Sequence, residues 1–469
     1  MFNLVLRSLL SHPIRSAVLA GGFGIGVSVM ASLLGIGEVI LEQARAPALL
    51  GGGDIVITGM TGKVPSARFI LSSVLNGPSL RGRVAGASPT LRKTLYLVRD
   101  RRVVPIRVRG GIPSMEHAIG DLETTTINVW RDAPTDAKWT TPDPTDLLRV
   151  LDRFHPVPKV PIRAESWAEW LYFSGQAGQT RFYLTFLVGP KRGSDRRIAA
   201  VRLQLDRNGD VCSYSDSAEV DEVQVLANAP DLTIGRNQVR LNDQRYVVKI
   251  DLQANQDGEA SECESRITGE IALEAKIGRV IPPITLKGNG GWVSGYVVPV
   301  MSGGLTGVLN TNDDLISLDN GVGYHDHNWG YWEGVSWQWG QVHGGGLSFV
   351  YGRLQPPTDA FDPDYVPAFV AVIGPDGPVG YTTDVSIEET DEGTTGEPRR
   401  IVVHGRGRTF DVIMELNVED VLVSRMHQRP FVGSLDFYQL RAEYHVTGHA
   451  NNQLIDFTSR GTAETFRGR

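Results

Sequence analysis

The run Gly321-Val322-Gly323-Tyr324-His325-Asp326-His327-Asn328-Trp329-Gly330 sets one carboxylate between two imidazoles, beside a phenol and an indole. Trp332, Trp337 and Trp339 follow closely, so four of the chain's nine tryptophans fall in this region. A polar centre walled by large aromatic rings suits an apolar ligand that needs one proton moved. Read as a strand, the run alternates: Tyr324, Asp326 and Asn328 point one way, and His325, His327 and Trp329 the other. Tyr324 and Asp326 then share one lining. Two other uses of the same residues stand beside this one. A β-protein can bury such a run as a hydrogen-bonded structural knot. Alternatively, His325 and His327 could bind a metal with His343 as a third ligand, but a zinc site wants three or four convergent groups. No metal or cofactor is assigned.

Short strands must position these residues. After Arg163 the chain reads as β throughout. Phe182 to Val188 is a strongly apolar strand, and Val201, Leu203 and Leu205 alternate with Arg202, Gln204 and Asp206. Asn208-Gly209 is a two-residue hairpin signal. Tyr246–Leu252, Ser265–Leu273, Trp292–Val300 and Leu347–Leu354 continue the pattern. Pro375-Asp376-Gly377 turns a further hairpin, and Ile401–Val403, Phe410–Ile413 and Tyr438–Val446 supply more strands. Evenly spaced short strands with turn chemistry imply a sandwich or barrel. Upstream, residues 46–160 form a small α+β segment. Ala67–Leu75 reads as a helix stopped by Asn76-Gly77, and Leu91–Val108 alternates as strands. Thr145 is a candidate cap for a helix with Leu147, Leu148, Leu151 and Phe154 on one face. Pro156, Pro158 and Pro161 read as a stiff linker and a domain boundary, beyond which the chain should fold alone.

The Tyr324–Gly330 segment resembles the Y-H-D-H-N-W-G motif of the carotenoid 1,2-hydratase (hydroxyneurosporene synthase) family and its AttH-like relatives. Ser166-Trp167-Ala168-Glu169-Trp170-Leu171-Tyr172-Phe173 is similar to that family's E-W-W-Y-F opening, with Leu171 replacing the second Trp. The resemblance covers Arg163 to the C-terminus. It implies two consecutive lipocalin-like β-barrels, at residues 161–350 and 351–469, and a cavity for long apolar isoprenoid-type molecules. It implies Asp326 as proton donor, Tyr324 as the residue that holds or tunes it, and Trp170 and Tyr172 as cavity lining. His325, His327, Trp329, Trp337 and Trp339 complete the expected ligand contacts. The family pattern also carries a His and a Trp ahead of the aspartate motif. Val293-Ser-Gly-Tyr296-Val-Val-Pro299 has neither.

The chain has 469 residues, a net charge of −7 and a sequence pI of about 5.9. Its basic runs are short and interrupted, so nucleic acid is not an expected partner. No phosphate-binding loop and no G-x-S-x-G elbow is present. Cys212 and Cys263 are the two cysteines. Exported, they could pair; sequence alone fixes no distance between them.

No charged residue lies between Ser16 and Gly37, long enough for a transmembrane helix within residues 1–45. Arg7 and Arg15 precede it and Glu38 and Glu42 follow, which orients the N-terminus inward and exports the body. A single-pass inner-membrane protein with a periplasmic body is the expectation. Leu4 to Leu10 with Pro13-Ile-Arg15 resembles the first helix of MacB/FtsX-type ABC permeases, which implies possible ABC transporter components as partners. Function is left between two classes. One is a hydratase adding water to a double bond of an isoprenoid or carotenoid. The other is a non-catalytic lipocalin-like carrier of the same kind of ligand.

Overall fold

The computed structural model describes Ile14 and residues 55–468, apart from 60–62, 78–79, 81, 100–101, 122–123, 126–128, 160–162, 192–193, 195, 255–262, 313, 363, 394, 428–433 and 452. The expected membrane span lies outside these residues. Among the described residues no helix is long and apolar enough to cross a membrane.

Two compact units divide the chain. In the first, which contains residues 82–140, β1 (Leu91–Arg99) and β2 (Arg102–Gly110) form an antiparallel hairpin. Arg109 ties that hairpin to Asp121 at 2.5 Å and to Glu116 at 3.4 Å.

The second unit comprises residues 65–81 and 141–469. Its first sheet contains β3 (Trp167–Ala177), β4 (Thr180–Pro190), β5 (Arg196–Arg207), β6 (Asp210–Asp221), β7 (Leu232–Ile234), β8 (Asn237–Asn242), β9 (Arg245–Ala254), β10 (Arg266–Glu274), β11 (Ile281–Lys287), β12 (Val293–Thr311), β13 (Leu315–Ser317) and β14 (Gly321–Tyr331). Neighbours run β3-β4-β5-β6-β9-β10-β12-β14, and β14 pairs back with β3, so the ring closes. Closure leaves no exposed edge in that ring. The period-2 pattern fills its interior with Leu171, Phe173, Phe182, Leu184, Phe186, Val201 and Leu203. At Asn208-Gly209 both residues have positive φ (58° and 101°), as the tightest hairpin turns require.

The second sheet contains β15 (Ser336–Gly344), β16 (Leu347–Gln355), β17 (Ala368–Gly374), β18 (Gly377–Thr382), β19 (Asp384–Asp391), β20 (Pro398–Gly407), β21 (Phe410–His427), β22 (Ser434–Ala450) and β23 (Gln453–Gly468), in the order 18-17-16-15-23-22-21-20-19. Thr382 donates to the carbonyl of Arg406, drawing the two ends of the sheet together into a barrel-like form. Phe349, Tyr351, Val370, Met414 and Tyr444 fill it. The chain changes sheet between Tyr331 and Ser336, ahead of the boundary expected at 350.

The helix Pro144–Leu151 is capped by Asp143, whose Oδ1 accepts from Asp146 N at 2.9 Å, with Pro144 at the first turn; Thr145 is not the cap. Leu148, Leu151 and Phe154 sit in the core of the first barrel, so this helix belongs to the barrel rather than to the segment before it.

Candidate active site

β14 alternates as its sequence implies, and its two faces have opposite chemistry. His325 and His327 point into the first barrel, where both are fully buried. Asp152, the residue capping the C-terminal end of the 144–151 helix, is the hub between them. Its Oδ2 lies 3.0 Å from His325 Nε2 and accepts from the Tyr246 hydroxyl at 2.7 Å, while its Oδ1 lies 2.7 Å from His327 Nδ1. His325 Nδ1 reaches the Tyr172 carbonyl at 2.9 Å. His327 Nε2 meets Glu169 Oε1 at 3.0 Å. Glu169 in turn accepts from the His155 backbone N–H at 3.0 Å, and its Oε1 lies 2.8 Å from His155 Nδ1.

Burial alone would lower the pKa of His327, but the hydrogen bonds it donates to Asp152 and Glu169 and the charges of both outweigh it and hold the pKa near 9. Burial alone would raise Asp152; the charge of His325 and the bonds from both histidines instead keep it well below the carboxylate range. Glu169 is lowered in the same way, with burial opposed by His155 and His327. Arg197, also buried, approaches Glu169 at 3.7 Å and donates to the His155 carbonyl at 2.7 Å. Trp329, on the same face, stacks on His155 at 4.2 Å. This face is a buried ionic knot in which the carboxylates and imidazoles are paired, while Arg197 Nε and Nη1 complete no hydrogen bond. It places one ligand atom each of His155, Glu169 and His327 within 4.8 Å of one another. Those atoms are already engaged in hydrogen-bonded pairs, and a guanidinium stands beside them. His343 is elsewhere, on β15, 3.0 Å from Ser348, and burial lowers its pKa to about 4.

The opposite face of β14 looks out of the first barrel, toward the second. Here Tyr172, Tyr324 and Val298 pack with Trp339, Val350 and Ile373. Asp326 is 4 % exposed, with Oδ2 accepting from Tyr324 at 2.9 Å and Oδ1 from Asn328 at 2.8 Å. The Tyr324 hydroxyl lies 2.6 Å from that of Tyr296, to which Trp339 Nε1 donates at 3.0 Å. Burial pushes the Asp326 carboxyl well above 3.8; the Tyr324 hydrogen bond pulls back, and the charge of Glu464 adds to the rise. Glu464, on β23, is itself raised by burial to about 7. Trp170 stands 4.5 Å from Trp332 and 6.3 Å from Trp337, and Trp337 stacks on Phe466 at 4.1 Å.

So the structure gathers Asp326, Tyr324, Trp170, Tyr172, Trp337 and Trp339 at one seam between the two barrels. It places His325, His327 and Trp329 on the reverse of the same strand. Asp152, His155, Tyr296 and Glu464 escape sequence reasoning. Glu169 was visible only as part of a motif. A separate polar groove of about 650 Å³ is lined by residues such as Arg196, Asp221, Asn228 and Arg240 and contains none of these buried titratable groups. The seam is the candidate site, since perturbed carboxyls and aromatic walls converge there.

No family model matches the chain, and no curated protein matches it. Solved structures similar to it include a protein of Nitrosomonas europaea provisionally assigned as AttH, at 16 % identity and a TM-score of 0.40 over 64 % of this chain and 92 % of that one. CghA is similar at 12 % identity and a TM-score of 0.41 in its complex with Sch210972, and at 11 % and 0.43 without it. Each CghA match covers 64 % of this chain and 88 % of that one.

Proposed function

We propose that the seam between the barrels takes an unsaturated apolar ligand of isoprenoid type and that Asp326 protonates it, in a hydratase-type reaction. The observation that carries this reading is a buried carboxyl, raised above its ordinary range by desolvation, held by Tyr324 and Asn328 between aromatic walls. A carboxyl whose proton is held more tightly by desolvation is suited to act as a general acid. Its proton forms a new C–H bond with the π pair of the double bond. The adjacent carbon becomes cationic beside the faces of Tyr172, Trp339 and Trp337, whose quadrupoles favour positive charge. Water adds to that carbon, and the proton it releases restores Asp326. The balance is alkene plus water to alcohol.

The ionic knot on the reverse face supports the same reading. It clamps β14 to β3 and to the 144–151 helix, so Asp326 sits on a strand with little freedom to shift. The Cys212–Cys263 disulfide, with Cα atoms 5.6 Å apart, fits an oxidising compartment and hence the proposed export. Asp326→Asn preserves shape and hydrogen bonding but removes the acid. Turnover of a C15 or C20 isoprenoid should fall at least a hundredfold, with binding retained. Equal turnover in parent and variant would rule out this role for Asp326. Absence of turnover in both, with binding lost on Trp337→Ala, would instead establish the carrier.

A further inference from the structure

The hairpin of β1 and β2 is apolar on a ribbon of only two strands. Eight of the 24 large apolar side chains exposed among the described residues fall in it, from Ile106 at 42 % to Val98 at 68 %. Four successive cross-strand pairs, Leu95↔Ile106 through Val98↔Val103, are apolar on both strands. Successive pairs alternate faces, so Leu97 and Val104 stand on one side of the ribbon and Tyr96, Val98 and Val103 on the other. This apolar band spans about 10 Å of strand. It is exposed on both faces.

Positive charge brackets the band. Arg99↔Arg102 is the last pair before the turn, and Arg92, Lys93 and Arg107 lie beyond the other end. Residues 91–110 hold seven basic side chains and one acidic, a net +6, in a chain whose net charge is −7. Arg109 is tied to Asp121 and Glu116. Arg92, Lys93, Arg102 and Arg107 are exposed and have no acidic partner among the described residues. An exposed apolar patch of this kind marks a binding surface. A second copy of the hairpin is a poor occupant, because it would set like charges against each other. A flat acidic protein surface would cover one face and leave the other in water. A fluid, negatively charged interface can cover both.

We propose that this hairpin docks on an anionic phospholipid surface, with its apolar band at the boundary of headgroups and acyl chains and its basic side chains on lipid phosphates. Guanidinium forks match phosphate oxygens, and long basic side chains can reach upward to them while their stems stay in apolar surroundings. Both outer edges of the ribbon carry backbone groups without a strand partner, which bars them from the hydrocarbon interior. End-on entry would also drag the Arg99–Arg102 pair into lipid, at high cost. The hairpin therefore lies along the interface, sunk about 5–10 Å. Each basic side chain held there strengthens binding about fivefold. This surface belongs to the first compact unit and is independent of the chemistry proposed for Asp326.

The test uses the full chain with vesicles of phosphatidylcholine, alone or mixed with phosphatidylglycerol. Leu97→Cys carries a polarity-sensitive fluorophore, since both native cysteines are held in the disulfide. Leu454→Cys, on β23 at a residue 82 % exposed, carries the same label as a control. The readout is local and does not depend on how the rest of the chain is attached. With phosphatidylglycerol present, the label at Leu97 should shift to the blue. Headgroup-level spin-labelled lipid should quench it about threefold more than the label at Leu454. In phosphatidylcholine alone, and in Arg92→Glu/Lys93→Glu/Arg107→Glu, quenching should fall to the Leu454 level. A label at Leu97 that stays water-like would overturn the proposal. So would a blue shift without lipid quenching, which marks a protein partner. Quenching equal in the two lipids, equal at the two sites, or unchanged by the charge reversals would overturn it too, marking apolar adsorption alone. If the triple variant does not fold, the comparison of the two lipids with the Leu97-labelled chain decides.

Discussion

Asp152→Asn should destabilise the first barrel by about 3 kcal/mol at pH 7 and reduce an alkaline loss of stability that the parent shows. The reasoning starts from His327, whose folded pKa is near 9 against an ordinary 6.5. At 1.36 kcal/mol per pKa unit, that rise corresponds to about 3 kcal/mol. A raised histidine pKa stabilises the fold fully below pH 6.5, and the contribution is lost as pH climbs through 9. The acidic partners work the other way. Asp152 and Glu169 have depressed values, so their contribution holds at neutral pH and is lost in acid. The knot is therefore strongest from about pH 5 to 6.5. Removing the hub leaves a buried imidazole facing an amide, and breaking such a pair commonly costs 3–5 kcal/mol. Urea unfolding followed by tryptophan fluorescence from pH 5 to 10 reads both effects, and the difference between parent and variant isolates the knot from other titrating groups. A variant within 1 kcal/mol of the parent at pH 7, or a parent–variant gap that does not narrow between pH 7 and 10, would refute the account.

Asp326→Asn should act oppositely on stability. The folded Asp326 holds a proton that the unfolded chain releases above about 3.8, so the parent loses stability as pH rises from there. The variant should match or exceed the parent at pH 7, by an amount that grows with pH in melts from pH 4 to 8. Reducing the Cys212–Cys263 disulfide, which closes a separation of 51 residues, should cost about 4 kcal/mol by loop-closure entropy; denaturation with and without reductant checks this. Gly295→Ala should cost about 1–3 kcal/mol by overpacking, because its Cβ would stand 2.0 Å from the buried Trp329 ring; a shift in thermal midpoint measures it.

The period-2 reading of residues 324–329 was legible because a strand sends neighbours to opposite faces whatever surrounds it. The hairpins at Asn208-Gly209 and Pro375-Asp376-Gly377 were legible because their backbone angles demand those residues. What the aspartate and the histidines meet was not legible. Asp152 reaches His325 across 173 positions, and nothing in a helix C-terminus marks its carboxylate as the partner of a distant imidazole. Glu464 lies in the last strand among alternating polar residues, where a charged side chain ordinarily faces water. The prolines at 156, 158 and 161 suggested a boundary, yet Tyr331 donates to the Pro158 carbonyl at 3.2 Å and His155 is wedged beside Glu169. A fragment starting at 161 would therefore discard Asp152, leaving His325 without its carboxylate and His327 with Glu169 alone.

The seam draws one wall from each barrel, with the acid on the first and much of the aromatic surface on the second. On the proposed reading the two barrels share the site: residues 167–331 supply the acid, and residues 336–468 supply Trp337, Trp339 and Glu464 around it. A two-walled site of this kind ties selectivity to chemistry, because a new pattern on the outward positions of β15 and β23 would change both the shape offered to a guest and the surroundings of Asp326. On that reading, grafting a differently patterned second barrel onto an unchanged first one would alter the acid's environment and the ligand's fit together.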